Sequence, residues 1–288
     1  MEAKVGEEYI VVQDDQSSQT NLEKKFTDLK NNIRKLGSIL VAYSGGVDST
    51  FLLKVCVDTL GKENVLGVTA ESPIRFRNAI DKAEQFAEQM DARYRLIETV
   101  ELKDDDFKAN DTERCYYCKR ELFGRLKEIA DNENLQYVVD GTNADDIKKD
   151  DRPGLKAHDD FSIKTPLADA GLSKDEIRKL SRRLDLPTWN QPSDTCLATR
   201  FSYSLEIDNK NLDKLRKIEL FLREFDFTQV RARLHDSNTI RIEVLPDEMN
   251  KIMENREEIW KLAKEEGFEY IALDLEGYRS GSMNETVN

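Results

Sequence analysis

Residues 38–60 read SILVAYSGGVDSTFLLKVCVDTL, and this stretch decides the fold that we predict. The short apolar run at 38–43 predicts a buried strand. A helix is expected to follow as far as Leu60, where Gly61 suits its end. Between the strand and the helix lies the glycine-rich turn Ser44–Thr50, with the sequence SGGVDST. The strand, turn and helix together predict one unit of an α/β fold.

The turn has the features of a phosphate-binding loop. Gly45 and Gly46 have no Cβ, so backbone N–H groups can approach an anion closely. The helix N-terminus adds partial positive charge, and the hydroxyls of Ser44, Ser49 and Thr50 add donors. The turn is not a Walker A loop, because the pattern GxxxxGK[ST] and its lysine are missing. We therefore predict a phosphate site of another class.

Strands and helices alternate along the chain outward from this turn. The elements predicted from apolar runs and helical spacing are strands at 65–70, 94–97 and 136–140, and helices at 22–36, 76–91, 115–134 and 174–184. The last helix opens with a capping box formed by Ser173 and Glu176. This alternation predicts a Rossmann-like parallel sheet with helices on both faces. Ligands of such sheets bind where strands end, as 44–50 and 141–146 both do.

The pattern changes from about residue 203 onward. The expected elements are a helix at 208–224, strands at 227–234 and 239–245, a helix at 247–265 and a last strand at 268–274. We predict three regions: a flexible polar tail at 1–20, a nucleotide-binding α/β domain at 21–200, and a smaller α+β domain at 201–288. The last region is expected to serve substrate binding and oligomerisation.

Composition and charge exclude several classes of protein. The chain has 288 residues, with 44 Lys+Arg and 57 Asp+Glu, so the formal net charge is −13. A field of this sign disfavours broad binding of nucleic acid. No apolar run approaches the roughly 18 residues that cross a bilayer, and the first residues lack the features of a signal peptide. We therefore expect a cytoplasmic protein without membrane contacts.

The four cysteines are too few for a disulfide scaffold in a chain of this length. Cys56 falls on the apolar side of a predicted helix, where a thiol packs as a small hydrophobe. Cys115 and Cys118 form a CxxC pair, which is compatible with zinc, iron–sulfur, redox chemistry or coincidence. Cys196 joins them if its irregular segment folds over the sheet edge. Three thiolates on a four-iron cluster would leave one iron free to hold a sulfide.

The turn SGGVDST resembles the pyrophosphatase loop of the PP-loop, or N-type ATP pyrophosphatase, superfamily. Further stretches extend the resemblance to nearly the whole chain, from about 22 to 286, and are similar to the LarE family of ATP-dependent sulfur transferases. These stretches are RCYYCK at 114–119, DGTNADD at 140–146, DRPGLKA at 151–157, CLATRF at 196–201, VRARLH at 230–235 and LDLEGYRSGSMN at 273–284. SGGVDST is common to the superfamily, whereas the later stretches are far more specific to LarE.

The resemblance implies an adenine nucleotide α-hydrolase fold and a specific reaction. ATP would adenylate a carboxylate of pyridinium-3,5-biscarboxylic acid mononucleotide, with release of pyrophosphate and AMP. Sulfur would then enter to give a thiocarboxylate on the way to the nickel-pincer nucleotide. Such chemistry usually needs Mg²⁺, for which Asp48 and Asp145 are the candidate partners.

The resemblance leaves two sulfur sources open. In one branch of the family a single cysteine, here Cys196, gives up its own sulfur. In the other, that position and a CxxC together bind a [4Fe-4S] cluster. Because Cys115, Cys118 and Cys196 all stand at matching places, the chain resembles the cluster branch. The donor that would supply fresh sulfide is not indicated by any residue.

Arginines are the candidate residues for binding the substrate. Arg231 and Arg233 are two apart on a predicted strand, so they share a face that suits a phosphate. Arg200 and Arg279 lie in family-like stretches and are expected to add to this site. The family resemblance also implies a homo-oligomer.

Three other functions compete with this interpretation. A tRNA-thiolating PP-loop enzyme is disfavoured by the net charge and by the lack of a recognisable RNA-binding module. An ammonia-using amidating ligase, similar to an NAD or GMP synthetase, would not need three thiols. A nucleotide sensor with a redox-responsive cluster would bind ATP without releasing pyrophosphate in response to a substrate.

Overall fold

The computed structural model describes residues 11–148, 153–192 and 194–285. The helices are α1 (Val11–Leu36), α2 (Val47–Leu60), α3 (Arg77–Gln89), α4 (Asp105–Lys108), α5 (Arg114–Asn132), α6 (Ala144–Ile147), α7 (Pro153–Asp160), α8 (Pro166–Asp169), α9 (Lys174–Arg183), α10 (Asn209–Arg223), α11 (Met249–Glu254) and α12 (Arg256–Glu265). The strands are β1 (Ile39–Ala42), β2 (Val65–Glu71), β3 (Arg93–Glu98), β4 (Tyr137–Val139), β5 (Val230–Leu234), β6 (Thr239–Val244) and β7 (Tyr270–Leu273).

The first sheet is parallel throughout and confirms the predicted α/β class. Its strand order is β3-β2-β1-β4, with Ile39 of β1 in register with Val65 and Tyr137 of the two neighbouring strands. The chain crosses over from β3 at one edge to β4 at the other. The turn after β1 and the loop after β4 therefore meet at a topological switch point, where sheets of this kind bind ligands.

Helices cover both faces of this sheet, as predicted. Successive side chains of β1 point to opposite faces, so Ile39 and Val41 join one apolar cluster and Leu40 joins another. The first cluster includes Ile33 of α1, and the second includes Leu126 of α5. Both sides of β1 are thereby buried, and the glycine turn is held at the end of a fixed strand.

The second sheet has the order β5-β6-β7, with β5 antiparallel and β7 parallel to β6. This confirms the hairpin predicted between 227 and 245. Its apolar cluster also takes in Ile74, Phe76 and Phe107 from the first part of the chain. Residues 74–76 and 107 thus link the two sheets. The domain limits at 20/21 and 200/201 stay predictions.

Two boundaries differ from the predicted ones. α1 begins at Val11, so residues 11–20 of the expected irregular tail are helical, while 1–10 lie outside the described residues. A helix propagates easily once a packed segment has nucleated it, and this extension needs no apolar spacing of its own. The single helix expected at 247–265 is divided at Asn255 into α11 and α12. Among the described residues, no helix is long and apolar enough to cross a membrane.

Candidate functional site

The glycine turn is closed by hydrogen bonds among its own residues. Ser49 Oγ donates to the Gly46 carbonyl (3.2 Å), accepts from the Ser44 N–H (3.2 Å) and lies 3.0 Å from Ser44 Oγ. The Thr50 N–H donates to the Gly46 carbonyl at 2.9 Å and starts α2. The remaining N–H groups of the first turn have no partner within the helix. These N–H groups are available to an anion, and phosphate binding by the loop stays a prediction.

Two glycines are required for the turn to fit its surroundings. Gly45 has φ = +74°, and a Cβ placed there would lie 2.7 Å from Ala83 Cβ on α3. A Cβ on Gly141, just after β4, would lie 3.1 Å from the Ser49 backbone nitrogen. The loops after β1 and β4 are therefore in contact, as the parallel sheet predicts.

Gly45→Ala should greatly weaken ATP binding, because the added methyl group must move α3 or the turn. The matched control is Gly61→Ala, which also has positive φ (+79°) but meets nothing within 4 Å. That control should lose about 1–3 kcal/mol of unfolding free energy through backbone strain and still bind nucleotide. Calorimetric titration with a non-hydrolysable ATP analogue measures the nucleotide affinity of both variants. Equal affinities in the two variants would contradict the account.

Asp48 and Asp145 are brought together by Lys174, which opens α9. The Lys174 ammonium pairs with Asp48 Oδ2, and its backbone N–H donates to Asp145 Oδ2 at 2.8 Å. Asp48 Oδ1 is buried and has no hydrogen-bond partner among the described residues. Burial raises the pKa of Asp48 despite the neighbouring Lys174. A buried carboxylate oxygen without a partner fits Mg²⁺, which binds one or two carboxylates together with substrate phosphates.

A cavity of about 170 Å³ opens beside the glycine turn. Its lining includes Ser44, Gly45, Gly46, Arg75, Thr195 and Cys196. The Leu197 N–H donates to the Ile74 carbonyl at 2.8 Å and so attaches the Cys196 segment to the loop that follows β2. Cys196 is thus held in the cavity that the phosphate loop lines, although it lies 152 positions after Ser44 in the chain.

A second cavity, of about 400 Å³, lies next to the first and shares Thr195 with it. Its lining includes Cys115, Lys119, Arg231, Arg233 and Tyr278. Arg231 and Arg233 share one face of β5, as predicted from their spacing. Basic side chains from both parts of the chain therefore line one cavity, which suits an anionic ligand.

The two arginines of β5 are nearly buried, and their surroundings reduce the effect of their charges. Arg233 pairs with the buried Glu243 at 2.9 Å and donates to the Thr199 carbonyl. Burial, together with the charge of Arg200, lowers the pKa of Arg231 to about 10. Each guanidinium is held in place by contacts with the protein, and both line the cavity.

Arg200 and Arg279 lie elsewhere than predicted. Arg200 is completely buried and binds Glu219 with two hydrogen bonds of 2.7 and 2.8 Å. It also donates to the carbonyls of Thr195 and Cys196. Because these contacts occupy its donors, we interpret Arg200 as the residue that positions Cys196, which corrects the predicted contact with substrate.

Arg279, like Arg200, forms ion pairs with acidic side chains, but it lies at the surface. It pairs with Asp274 at 3.2 Å and with Glu285 at 2.6 Å, whereas its neighbours Tyr278 and Ser280 line the second cavity. Arg279 itself is not among the residues that line the second cavity, and its contact with substrate stays a prediction. The ion pairs instead fix the backbone that carries Tyr278.

Two of the three predicted cysteines line the adjoining cavities, and the third is close enough to feel the charge of both. Cys115 is exposed in the second cavity, Cys196 lines the first, and Cys118 packs against the apolar cluster of the second sheet. Burial raises the pKa of the Cys118 thiol well above its ordinary value, and Glu101, Cys196 and Cys115 raise it further. Cys56 is fully buried in the core, as predicted, and burial raises its pKa as well.

The donor chemistry of the three thiols fits an iron–sulfur cluster. All three are free, and thiolates are the usual ligands of such clusters. In the described part of the chain, no three His, Cys, Asp or Glu residues are arranged around a single metal ion. A four-iron cluster is wider than one ion, so its ligands are spaced further apart. Cys115, Cys118 and Cys196 would supply three of its protein ligands.

A buried Asp–His pair contacts Lys119, which lines the second cavity. His158 Nε2 lies 2.7 Å from Asp140 Oδ2, and Lys119 Nζ approaches the same oxygen at 3.4 Å. Burial alone would raise the pKa of Asp140, but the hydrogen bond from His158 and the charge of Lys119 outweigh it, so this pKa is lowered. The pair holds Lys119 at the cavity.

Asp140→Asn should lower the unfolding free energy by about 1.5–3 kcal/mol at pH 7, because a buried charge-assisted hydrogen bond is lost. Since the pKa of Asp140 is depressed in the folded state, its stabilisation is present above the unfolded value of about 3.9 and is lost as pH falls below that value. Urea denaturation at several pH values measures the unfolding free energy of wild type and variant. The difference between wild type and variant should shrink in acid; a difference that grows there would contradict the assignment.

Comparisons with known proteins identify the family. A family model described as NAD synthase matches residues 21–139. The pyridinium-3,5-bisthiocarboxylic acid mononucleotide synthase of Lactiplantibacillus plantarum, a LarE protein, is 34% identical over 266 residues, which cover 92% of this chain and 96% of that protein. The chain belongs to the LarE family. An uncharacterised protein of Synechocystis sp. is 37% identical over 92% of this chain and 99% of its own length.

The LarE-family chain is also similar to amidating enzymes over its nucleotide-binding part. A component of the glutamine-hydrolysing GMP synthase of Thermoplasma volcanium is 30% identical over 66% of this chain and 65% of that protein. Together with the NAD synthase match, this relationship confirms the PP-loop fold that the turn predicts.

The sequence of this LarE-family chain does not predict several of the residues that the structure places at the site. From the sequence, Lys174 is interpreted as part of a solvated basic helix face, and Arg75 and Lys119 are given no role. Glu219 matches a position that the family resemblance associates with metal or subunit contacts, and it is not included among the predicted site residues. The signal for Glu219 is a charged residue beside Ile218 and Leu222 on the buried side of α10. Lys174 carries no such local signal, because its partner Asp48 is 126 positions away.

Proposed function

We propose that this chain uses ATP to activate a carboxylate of pyridinium-3,5-biscarboxylic acid mononucleotide and replaces an oxygen of that carboxylate with sulfur. One observation carries the proposal: the phosphate loop and Cys196 line one cavity, and Cys115, Arg231 and Arg233 line the adjoining one. ATP phosphates, a sulfur-bearing group and an anionic substrate would then meet at Thr195. The Lactiplantibacillus relative is a pyridinium-3,5-bisthiocarboxylic acid mononucleotide synthase, which supports the same substrate class.

Adenylation is the first step of the proposed reaction. A substrate carboxylate oxygen attacks the α-phosphorus of ATP, the bond from this phosphorus to the bridging oxygen breaks, and pyrophosphate leaves. The N-terminus of α2 and the turn hydroxyls would hold the departing pyrophosphate. Asp48 would hold Mg²⁺, which spreads the developing phosphate charge when bound. Lys174 would keep Asp48 and Asp145 in place.

Sulfur transfer is the second step. A sulfur nucleophile attacks the acyl carbon, and the C–O bond breaks with its electron pair going to AMP. A [4Fe-4S] cluster on Cys115, Cys118 and Cys196 would, when bound, supply sulfide. Alternatively, Cys196 Sγ forms a thioester and then leaves as the thiocarboxylate, with loss of the Cys196 Cα proton and formation of dehydroalanine. Arg200 positions Cys196 in either case.

The test is a single turnover under anaerobic conditions with ATP and the biscarboxylate substrate. Pyrophosphate, AMP and thiocarboxylate should appear in equal amounts, and none should form without the substrate. Nucleotide hydrolysis that ignores the substrate would contradict the proposal. Iron and sulfide analysis before turnover, and the mass of the protein after it, identify the sulfur source. An intact mass with bound iron supports the cluster, and loss of H₂S from Cys196 supports the sacrificial route.

An amidating ligase is the second candidate function, favoured by the similarity to the Thermoplasma GMP synthase component and by the NAD synthase match. It would use ammonia and would not need the thiols. Replacing Cys115, Cys118 and Cys196 together with alanine would leave the activity of an amidating ligase unchanged, whereas a sulfur transferase should lose its activity.

Binding of tRNA at physiological salt would instead favour the tRNA-thiolating candidate. A cytoplasmic homo-oligomer remains part of the main proposal.

A further inference from the structure

Arg75 is a cation at the first cavity whose side chain has no acidic partner among the described residues. It is half-buried and lines the same cavity as Ser44, Gly46 and Cys196. Its guanidinium makes no hydrogen bond or ion pair with any residue that the structure describes. A partly desolvated guanidinium without an anion is unfavourable, so this position suits an anionic ligand.

The other arginines near the site differ from Arg75 in this respect. Arg200, Arg233 and Arg279 are engaged by Glu219, Glu243 and Asp274 respectively. Arg77, two residues after Arg75, lies outside the cavity lining and pairs with Glu71 and Asp81. Within the described ranges, the local structure therefore provides acidic partners for Arg77 but none for Arg75.

The backbone that carries Arg75 is attached to the segment that carries Cys196. The Arg75 N–H donates to the Ser72 carbonyl at 3.0 Å, and Ser72 Oγ accepts from the Ile74 N–H. The Ile74 carbonyl in turn accepts the Leu197 N–H, one residue after Cys196. These contacts fix the backbone from which the Arg75 side chain reaches the cavity that Ser44, Gly46 and Cys196 also line.

We propose that Arg75 is a catalytic residue that binds the α-phosphate of the acyl adenylate between the glycine turn and Cys196. This inference rests on the proposed function. When sulfur attacks the acyl carbon, the C–O bond breaks and its electron pair passes to the phosphate oxygen of the departing AMP. The planar guanidinium, with its paired N–H donors, matches two oxygens of that phosphate. It also stabilises the α-phosphate during adenylation.

The test compares Arg75→Ala and Arg75→Lys with Arg77→Ala as the matched control. Substrate-dependent pyrophosphate exchange and single-turnover thiocarboxylate formation are measured. Arg75→Ala should lose roughly 10²–10³-fold in kcat, as expected when one donor to a developing charge is removed. Its KM for ATP should stay within about threefold of the wild-type value. Arg75→Lys should retain part of the activity, and added guanidinium ion should partly rescue Arg75→Ala. Arg77→Ala should behave as wild type.

The outcomes separate this inference from the proposed function. If wild type releases pyrophosphate with substrate but Arg75→Ala keeps its full kcat, Arg75 does not touch the reacting phosphate and the inference is overturned. The same holds if Arg75→Ala loses activity only through a lower unfolding free energy, without rescue by guanidinium. If wild type itself shows no substrate-dependent pyrophosphate release, the proposed function fails first, and the inference fails with it.

Discussion

Replacing Cys196 with alanine should abolish thiocarboxylate formation while substrate-dependent pyrophosphate exchange continues. Cys196 lines the phosphate cavity, but its thiol takes no part in adenylation, so only the second step loses its sulfur. We expect a fall of roughly 10³-fold or more in product, the scale on which enzymes lose a reacting group. The measurement is product analysis by mass spectrometry beside an isotope-exchange assay on the same anaerobic preparation.

Cys56→Ala is the matched control for this substitution. Cys56 is buried in the first apolar cluster, away from both cavities, so its loss should lower stability without changing sulfur transfer. Product formation by Cys196→Ala at the wild-type rate would contradict the role of Cys196. Simultaneous loss of exchange and product would contradict the separation of the two steps.

Glu219→Gln should destabilise the protein more than any surface substitution. The carboxylate of Glu219 and the guanidinium of Arg200 are both completely buried, and Arg231 lies 3.8 Å away on the other side. Removing the negative charge leaves two arginines without adequate compensation inside the protein. Breaking such a buried pair costs about 3–5 kcal/mol of unfolding free energy, which urea denaturation measures.

Glu266→Gln provides the comparison for a more exposed pair. Glu266 pairs with Lys217 of α10, whose side chain is 61% exposed, so its loss should cost less than about 1 kcal/mol. Similar costs for the two variants would show that the Arg200–Glu219 pair does not organise the site. Glu219→Gln should also disturb the carbonyls of Thr195 and Cys196, which Arg200 holds.

The sequence was sufficient to predict the parts of the fold that depend on local pattern. Strand β1, the glycine turn and α2 follow directly from an apolar run, two glycines and helical spacing. The capping box at Ser173 and Glu176 is also formed as predicted. Periodicity and capping act over a few residues, so a single sequence contains the necessary information.

The partners of the charged residues could not be predicted in the same way. The sequence predicts that Arg200 binds substrate, whereas in the structure it binds Glu219, which lies 19 positions away on α10. The role of Lys174 depends on the approach of α9 to α2. Ion pairs of this kind are determined by tertiary packing, and a charge pattern read along the chain does not identify which residues will meet.

The central claim is that a substrate carboxylate becomes linked to AMP at the cavity lined by Ser44, Gly46 and Cys196. The most direct measurement uses the biscarboxylate substrate labelled with ¹⁸O in its carboxylates and analyses the AMP formed in one anaerobic turnover. Because the C–O bond breaks on the acyl side, AMP should carry one ¹⁸O atom in its phosphate. Unlabelled AMP, or ADP in its place, would contradict adenylation of the carboxylate.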